Sequence, residues 1–484
     1  MNKQLMFTIF MAIFCLPVFA NNITISNQTL TSGSAADGYG YVTFDLSWEN
    51  SWRLSSAPSN WDAAWVFVKY RVGSGDWLPA TLHNDGHIAG TGTAAEITVG
   101  LVDDNTAFDA STNPGIGAFV SRSSAGAGTG TFTSTGLKLR WDYGADGIAG
   151  GTNVDVKVFA IEMVRVLEGA FNAGDGSGGD AFTSTTISTP DATTTPSGTG
   201  SLGGEAGGYP TDQTAPDNTS WPNGYNAFYC MKYEVTQQQY VDFLNTLTQP
   251  QATARKYTGT GYRYAITGTA VGSYATTKPN VACNYLSWAD DAAYADWSGL
   301  RPMTELEFEK ACRGPLAAVT GEYAWGTAAV AGSSYTLSGA GTASEGIATN
   351  YSTTAGNAMY TTTKLSDNFG PVRVGIFANE TSVRVSAGAS YWGIMELSGN
   401  VWERPVTIGN VTGRAFTGTH GDGVLDSNGA ANAATWPGTD AVGAGWRGGS
   451  WLNFASYMQV SDRYRAGFSY SNRFNVLGFR AVRR

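Results

Sequence analysis

Four short stretches in the first third of the chain alternate apolar and polar residues with a period of two, which restricts this region to β-structure. They cover residues 41–48, 64–70, 137–141 and 154–158. Glycine, asparagine and aspartate separate them, as in Asn84-Asp85-Gly86. Many short strands at this spacing are typical of a β-sandwich, and we predict one over residues 21–157.

Three later segments carry the signals of helix starts and ends. Each follows a serine or threonine that can cap the first turn, and two of these form a capping box with a Gln or Glu three residues on. The helices are predicted over residues 237–247, 288–298 and 305–313, after Thr236, Ser287 and Thr304. Residues 172–222 between strands and helices are rich in Thr, Ser, Gly and Pro, and we interpret them as a low-complexity insert. The chain is therefore predicted to be an α+β protein.

The charge balance excludes one class of partner. Charged residues make up 14% of the chain and the net charge is -10, so there is no basic surface for nucleic acid. The polar surface must come mainly from Ser, Thr, Asn and the 62 glycines. Such a surface is typical of extracellular β-rich proteins.

The first twenty residues have the pattern of an export signal. Lys3 precedes an apolar run from Leu5 to Pro17, and the small residue Ala20 ends a cleavage site. The run is shorter than the ~20 residues that span a bilayer. We therefore expect secretion to the exterior, the cell surface or the periplasm, without a membrane span.

Three cysteines follow the export signal. Cys230, Cys283 and Cys312 all have apolar or aromatic neighbours, which favours buried free thiols. A Cys230–Cys283 disulfide is the alternative that an oxidising compartment permits.

Nine sequence blocks over residues 158–484 occur in a recognisable order. They include Gly-Asn-Val-Trp-Glu at 399–403 and Arg-Gly-Gly-Ser-Trp at 447–451. The others lie at 162–171, 232–243, 284–294, 301–309, 323–326, 463–465 and 477–480. In this order the blocks resemble the formylglycine-generating, or sulfatase-modifying factor, family. The resemblance implies a variant of the C-type-lectin fold with little regular secondary structure.

The resemblance also implies where catalysis would occur. The family's oxidase activity uses two cysteines that hold a copper ion, and soft thiolates suit monovalent copper. This chain has Asn453 and Met458 at the corresponding positions. Because neither side chain can supply a thiolate, we predict a pseudoenzyme and do not expect copper as its cofactor.

Calcium is the cofactor that the resemblance still supports. Calcium prefers six to eight oxygen ligands, including backbone carbonyls. The block at 399–403 is similar to the family's calcium loop. The family's second calcium site corresponds to two pairs of residues that are separated in sequence. The predicted ligands are Gly399, Asn400, Val401 and Glu403 at the first site, and Asn350, Tyr351, Asp367 and Phe369 at the second. The alternative at the first site is that Glu403 pairs with an arginine such as Arg447.

Three carboxylates stand at alternate positions of the third predicted helix: Glu305, Glu307 and Glu309. Alternate residues on a helix point about 200° apart, so these side chains do not converge for acid–base catalysis. We interpret them as a cap, a surface charge and an ion pair at the edge of the core.

Three functions are consistent with these features. The first is a secreted, non-catalytic scaffold that binds an unknown protein or glycan, with some aromatic side chains forming a stacking surface. The second is an extracellular subunit that self-assembles into filaments or a sheath through strand edges. The third is an oxidase of the same family with an altered site.

Overall fold

The computed structural model describes residues 22–124, 128–177, 180–194, 215–365 and 370–484. The predicted export signal and part of the predicted insert lie outside these ranges. The described chain is mostly sheet with few helices, at 30% strand and 10% helix. This content agrees with the predicted α+β, β-rich class.

Eighteen strands are present in the described residues. The first half of the chain contains β1 (Thr24–Ser34), β2 (Tyr39–Arg53), β3 (Asp62–Val72), β4 (Leu78–Pro79), β5 (Thr91–Gly92), β6 (Ala95–Leu101), β7 (Gly115–Arg122), β8 (Gly128–Trp141), β9 (Val154–Val166), β10 (Phe171–Ala173), β11 (Thr185–Ile187) and β12 (Phe228–Met231). The second half contains β13 (Ile266–Thr267), β14 (Ala275–Thr276), β15 (Arg301–Pro302), β16 (Thr336–Ser338), β17 (Gly346–Thr349) and β18 (Ala481–Arg483).

Two large sheets organise these strands. One has the order β1-β2-β8-β5, and the other has the order β15-β18-β12-β9-β3-β7-β6, with β4 added beside β3. All the pairings within them are antiparallel. The remaining strands form the two-stranded pairs β10-β11, β13-β14 and β16-β17.

Side chains from both large sheets share one apolar core. Along β2 every second residue from Val42 to Trp48 is buried, and these side chains cluster with residues of β3 and β8 such as Val66 and Leu139. Burial of one large apolar side chain contributes about 1.5–3 kcal/mol. The alternation predicted for residues 41–48 therefore places one face of β2 in this core.

Strand β3 departs from the simple alternation that its sequence suggests. Its residues Asp62–Tyr70 are buried on both faces, because one face lines the shared core of the two sheets while Trp65 and Phe67 on the other face pack in a second core. Trp297 contacts Phe67 edge-on in that second core, with ring centroids 5.0 Å apart. The first part of the chain is thus packed directly against the part that follows it.

The second sheet extends across the predicted domain boundary at residues 157 and 158. Strand β9 runs through this boundary and pairs with β3 from Val154 to Val164. Its last four residues, Met163–Val166, also pair with β12, and β18 and β15 follow. The strands of one sheet therefore come from both predicted units.

The helices are α1 (Gln237–Leu244), α2 (Gln249–Arg255), α3 (Trp288–Trp297), α4 (Glu305–Arg313) and α5 (Val411–Arg414), with 3₁₀ turns at Ala192–Thr194 and Ala455–Met458. Capping boxes precede α1 to α4. The predicted end of α1 at residue 247 is wrong: the helix ends at Leu244 with Asn245 as its C-cap, and Thr248 forms a capping box with Gln251 that starts α2. Among the described residues, every helix is too short or too polar to cross a bilayer.

Candidate functional site

Helix α4 anchors the segment that contains the family's cysteine positions. Glu305 accepts hydrogen bonds from Arg463 at 2.6 and 2.7 Å. Arg447 donates to Glu305 at 3.1 Å and to Glu309 at 2.8 Å. All four side chains are fully buried. Since residues 453 and 458 lie between the two arginines in sequence, α4 holds both ends of this segment.

The prediction that α4 carries a surface charge is wrong. Glu305, Glu307 and Glu309 are 0–2% exposed. Glu307 does act as a cap, because it accepts from the backbone N–H of Thr304 at 3.0 Å, and it also pairs with Arg301. Glu305 and Glu309 are four residues apart and therefore lie on one helix face, where both reach Arg447.

Asn453 is held in one orientation by its neighbours. Its side-chain oxygen accepts from the indole N–H of Trp402 at 2.8 Å and from the hydroxyl of Ser450 at 2.5 Å. Its backbone oxygen accepts from the N–H of Thr361 at 3.0 Å. The amide at the first family cysteine position thus serves as an acceptor inside the fold.

Met458 is a packing residue. Its side chain is fully buried and clusters with Tyr323, Trp325 and Tyr360. Its backbone oxygen accepts from the hydroxyl of Ser398 at 2.8 Å. Gly399 has a left-handed φ of 98°, and a Cβ there would lie 3.1 Å from the Met458 sulfur. A glycine is therefore required where this loop crosses the thioether.

The side chains at the two positions do not fit a copper ion. An amide oxygen with two donors already bound and an enclosed thioether do not fit an ion that prefers a pair of thiolates. The three cysteines in the described residues are free and buried elsewhere. Burial raises the pKa of the Cys230 thiol to about 12, so this thiol is inert at neutral pH.

Aromatic side chains pack around Arg465, just after this segment. The guanidinium of Arg465 lies 5.1–5.6 Å from the ring centroids of Trp402, Trp446, Tyr457 and Phe468. The rings of Tyr470 and Phe474 pack against Trp446, with centroids 6.1 and 6.0 Å away. Leu452 and Phe454 come from the segment that leads into Tyr457, whose N–H donates to the Phe454 backbone oxygen. We call the following residues the aromatic face: Trp446, Leu452, Phe454, Tyr457, Arg465, Phe468, Tyr470 and Phe474.

The aromatic face is strongly exposed at its rim. Phe454 is 70% exposed, Tyr470 is 53%, Leu452 is 43% and Phe474 is 37%. The aromatic character of these residues does not distinguish core from surface, so the sequence alone did not identify them. Several of them lie within a few residues of Asn453 in the sequence, and this proximity to the family's first cysteine position could have identified them.

The residues of the first predicted calcium site are engaged within the protein. The Asn400 side-chain oxygen accepts from the N–H of Val372 at 2.8 Å, and its amide group donates to Glu234 at 2.5 Å. Glu403 pairs with Arg480 at 2.7 Å. Arg447, the arginine considered for Glu403, exchanges two backbone hydrogen bonds with it, at 2.9 and 3.0 Å.

A second carboxylate shares this buried region. Glu396 lies in the same loop, and its Oε2, like the Oε2 of Glu403, is buried without a hydrogen-bond partner. Burial raises the pKa of Glu396 to about 7, and it also raises the pKa of Glu234 and of Glu403. Glu396 was not among the predicted ligands, although it lies three residues before Gly399 in the sequence.

The second predicted calcium site is described only in part. Asn350 is exposed and donates to the backbone oxygen of Ser334 at 2.7 Å. The Tyr351 hydroxyl donates toward the backbone oxygens of Phe377 and Ser386. Asp367 and Phe369 lie outside the described residues. Within the described ranges, no group of three or more His, Cys, Asp or Glu side chains is arranged to hold a metal ion.

Comparisons with known proteins find one family and short stretches of similarity. The family described as sulfatase-modifying factor enzyme 1-like domain matches residues 178–484. A formylglycine-generating enzyme of Thermomonospora curvata is 46% identical over 55 residues, which is 11% of this chain and 18% of that enzyme. One of Streptomyces coelicolor is 49% identical over 51 residues, which is 10% of this chain and 16% of that enzyme.

These alignments span less than a fifth of the length of either enzyme. Among solved structures, Treponema denticola variable protein 1 aligns at 15% identity with a TM-score of 0.33. That alignment covers 67% of this chain and 96% of the solved one.

Proposed function

The chain belongs to the sulfatase-modifying factor family, and from this premise we propose that it is an exported binding protein without oxidase activity. In this proposal its partner is another protein, which is held by the aromatic face. The observation that carries the proposal is the pair at the family's cysteine positions, where Asn453 is an oriented amide and Met458 is a buried thioether.

The chemistry of the pair argues against oxidation. A thiolate serves both as a soft ligand and as a reactive group, and an amide or a thioether cannot replace it in both roles. Asn453 and Met458 instead contribute to stability, through hydrogen bonds and apolar packing respectively. The segment that contains them is well packed although it lacks the thiolates, which supports a binding function for the fold.

The aromatic face has the composition of a protein-binding surface. Trp, Tyr and Arg carry most of the binding energy at protein interfaces, and a contiguous exposed apolar patch marks an interaction site. The stack of Arg465 between rings fixes their orientation before binding, which lowers the entropy lost on association.

A protein is favoured over a glycan as the partner of this face. Sugar recognition needs hydrogen-bonding groups beside the stacking rings, whereas Leu452, Phe454 and Phe474 at the rim offer only apolar surface. Tyr470 is the exposed member with a hydroxyl. A glycan therefore remains the weaker alternative.

Self-assembly through a strand edge has less support. Strand β1 is an edge strand of eleven residues, but its pairing with β2 is irregular after Ser26 and again after Ser32. Irregularities of this kind protect edge strands from pairing with another chain. We therefore rank the filament hypothesis below the binding hypothesis.

We further propose that calcium stabilises the loop from Glu396 to Glu403. The two orphaned carboxylate oxygens would be its side-chain ligands, and Gly399 and Val401 would add backbone oxygens. Asn400 is left out, because its oxygen is occupied by Val372. The ion would compensate buried negative charge and would have no chemical role.

Export and the finer fold assignment belong to the same proposal. The apolar run after Lys3 supports secretion to the exterior, the cell surface or the periplasm. The shared core of the two large sheets supports a β-sandwich in the first part of the chain. The family membership supports a C-type-lectin-like variant in the second part.

The absence of oxidase activity can be tested with copper, oxygen and a cysteine-containing peptide. We expect the wild-type protein to produce no peptide aldehyde by mass spectrometry, while Asn453→Cys combined with Met458→Cys restores copper binding. Accumulation of aldehyde with the wild-type protein would show that this chain is an oxidase.

The aromatic face can be tested with peptides selected on the wild-type protein from a displayed random library. Phe454→Ala and Tyr470→Ala should each weaken binding by about tenfold or more, as truncation of an interface anchor does. Val383→Ala, at a residue 62% exposed outside the aromatic face, is the matched control and should change nothing. Equal affinity for all three variants would exclude this face as the binding site.

A further inference from the structure

Arg465 is the one charged member of the aromatic face. Its guanidinium lies 5.1–5.6 Å from four ring centroids, and its side chain is partly exposed. The arginines on either side of it in sequence are paired, Arg463 with Glu305 and Arg473 with Asp290, at 2.6 Å each. In the described part of the chain, Arg465 has no such ion pair. Aromatic rings therefore surround a positive charge that has no carboxylate bound to it.

Asp462 is the acidic residue closest to Arg465 in sequence, and it does not fill this role. Its charge acts on Arg465 through space, but the two side chains share no hydrogen bond, and Oδ1 of Asp462 is buried without a partner. Burial raises the pKa of Asp462 to about 7, so this carboxyl is only partly ionised at neutral pH. The protein itself thus leaves the charge of Arg465 largely uncompensated.

A second guanidinium increases the positive charge beneath the aromatic face. Arg404 lies 5.8 Å from the ring centroid of Trp446, and Arg465 lies 5.1 Å from the same ring. Arg404 donates to the backbone oxygen of Tyr470 at 3.1 Å, while its Nε and Nη1 are buried without partners. Asp291 is the carboxyl that acts on Arg404, but neither of its side-chain oxygens is hydrogen-bonded. This part of the surface is therefore positive, although the whole chain has a net charge of -10.

The chemistry of a stacked guanidinium indicates what it can bind. A guanidinium stacks on rings through its face and binds a carboxylate through its edge, so both contacts can form together. Beside apolar rings such a pair is screened less than in water. We propose that the partner of the aromatic face presents an aspartate or glutamate among apolar residues, and that its carboxylate pairs with Arg465. The inference rests on the proposed function, because it specifies the partner of the same face.

The displayed random library supplies the first test. We expect the peptides that the wild-type protein retains to be enriched in Asp and Glu beside apolar residues, relative to the unselected library. Enrichment in Lys or Arg, or the absence of any charge preference, would overturn the inference and leave the proposed function intact. A library that yields no peptide weakened by Phe454→Ala would overturn the proposed function, and this inference with it.

A double-mutant cycle separates direct pairing from a structural role of Arg465. The probes are a retained peptide and its counterpart with glutamate replaced by glutamine or aspartate by asparagine, both amidated at the C-terminus. By calorimetric titration, the wild-type protein should bind the acidic peptide about tenfold or more tightly than the amide peptide, as for a close charge pair. Arg465→Gln should bind both peptides equally, whatever it does to the packing of the rings.

Two further variants complete the cycle. Arg465→Lys keeps the charge but not the planar fork, and it should retain part of the preference for the acidic peptide. Arg71→Gln is the matched control, because Arg71 also lies over a ring, 4.7 Å from the centroid of Trp77, but outside the aromatic face. It should retain the whole preference. A preference for the acidic peptide that persists undiminished in Arg465→Gln would show that Arg465 does not bind the carboxylate.

Discussion

Arg447 is fully buried and donates to two carboxylates of one helix. Its position decides how the candidate site is held, because Glu305 also receives Arg463 and the segment between the two arginines contains Asn453 and Met458. A buried ion pair adds little net stability compared with apolar side chains of similar size at both of its positions. Removal of one partner alone, however, leaves unpaired charge in the interior.

We therefore expect Arg447→Met to lower the free energy of unfolding by about 3 kcal/mol, because it removes the buried donor that Glu305 and Glu309 share and leaves Arg463 and Arg313 to balance their charge. Denaturation in urea measures the change. The control is Arg71→Met, since the Arg71–Asp155 pair is exposed and such pairs contribute about 1 kcal/mol or less. An equal effect of the two substitutions would show that the buried network does not anchor this segment.

At the scale of elements, capping residues in the sequence predicted the bounds of helix α4, which depend on contacts between residues close in sequence. The capping box at Thr304 and Glu307 gave the start of α4 correctly and Gly314 gave its end, since caps lie within one turn of the residues they serve. The burial of Glu305 and Glu309 could not be predicted in this way, because their partner Arg447 lies 138 or more residues away. The same holds for Glu396, whose orphaned oxygen depends on tertiary packing.

The loop from Glu396 to Glu403 supplies the prediction at this scale. Saturating calcium should raise the melting temperature by roughly 5 °C over a sample with chelator, as a ligand at 100 times its Kd adds about 2.7 kcal/mol of stability. Scanning calorimetry measures the increment.

Glu396→Gln should remove most of that increment while it leaves the calcium-free protein as stable as the wild type or more so, because it eliminates a buried carboxylate. Asn400 is not expected to act as a ligand. An increment that survives in Glu396→Gln, or no increment at all, would show that calcium does not bind between these carboxylates.

At the scale of the whole molecule, strand β9 joins the two predicted units. It pairs with β3 on one edge and with β12 on the other, so the backbone hydrogen bonds of one sheet run through both. Lys232 pairs with Glu162 at 3.0 Å and lies 3.8 Å from Asp62 of β3. The indole of Trp65 donates to the backbone oxygen of Ser298 at 2.7 Å. The alternation of apolar and polar residues predicted the strands. The burial of β3 on both faces could not be predicted in this way, because it depends on contacts between the two units.

These contacts predict that the two units unfold together. Loss of β3 would expose the face of Phe67 and Trp297 and leave Lys232 short of one carboxylate, so neither unit keeps its core when the other opens. Calorimetry should give a single transition with equal calorimetric and van't Hoff enthalpies. Trp65→Ala should shift that whole transition downward, because removing a buried aromatic side chain costs about 3–5 kcal/mol. Two separated transitions, with only one moved by Trp65→Ala, would mean that the units are independent in stability and that the sheet continuity does not couple them.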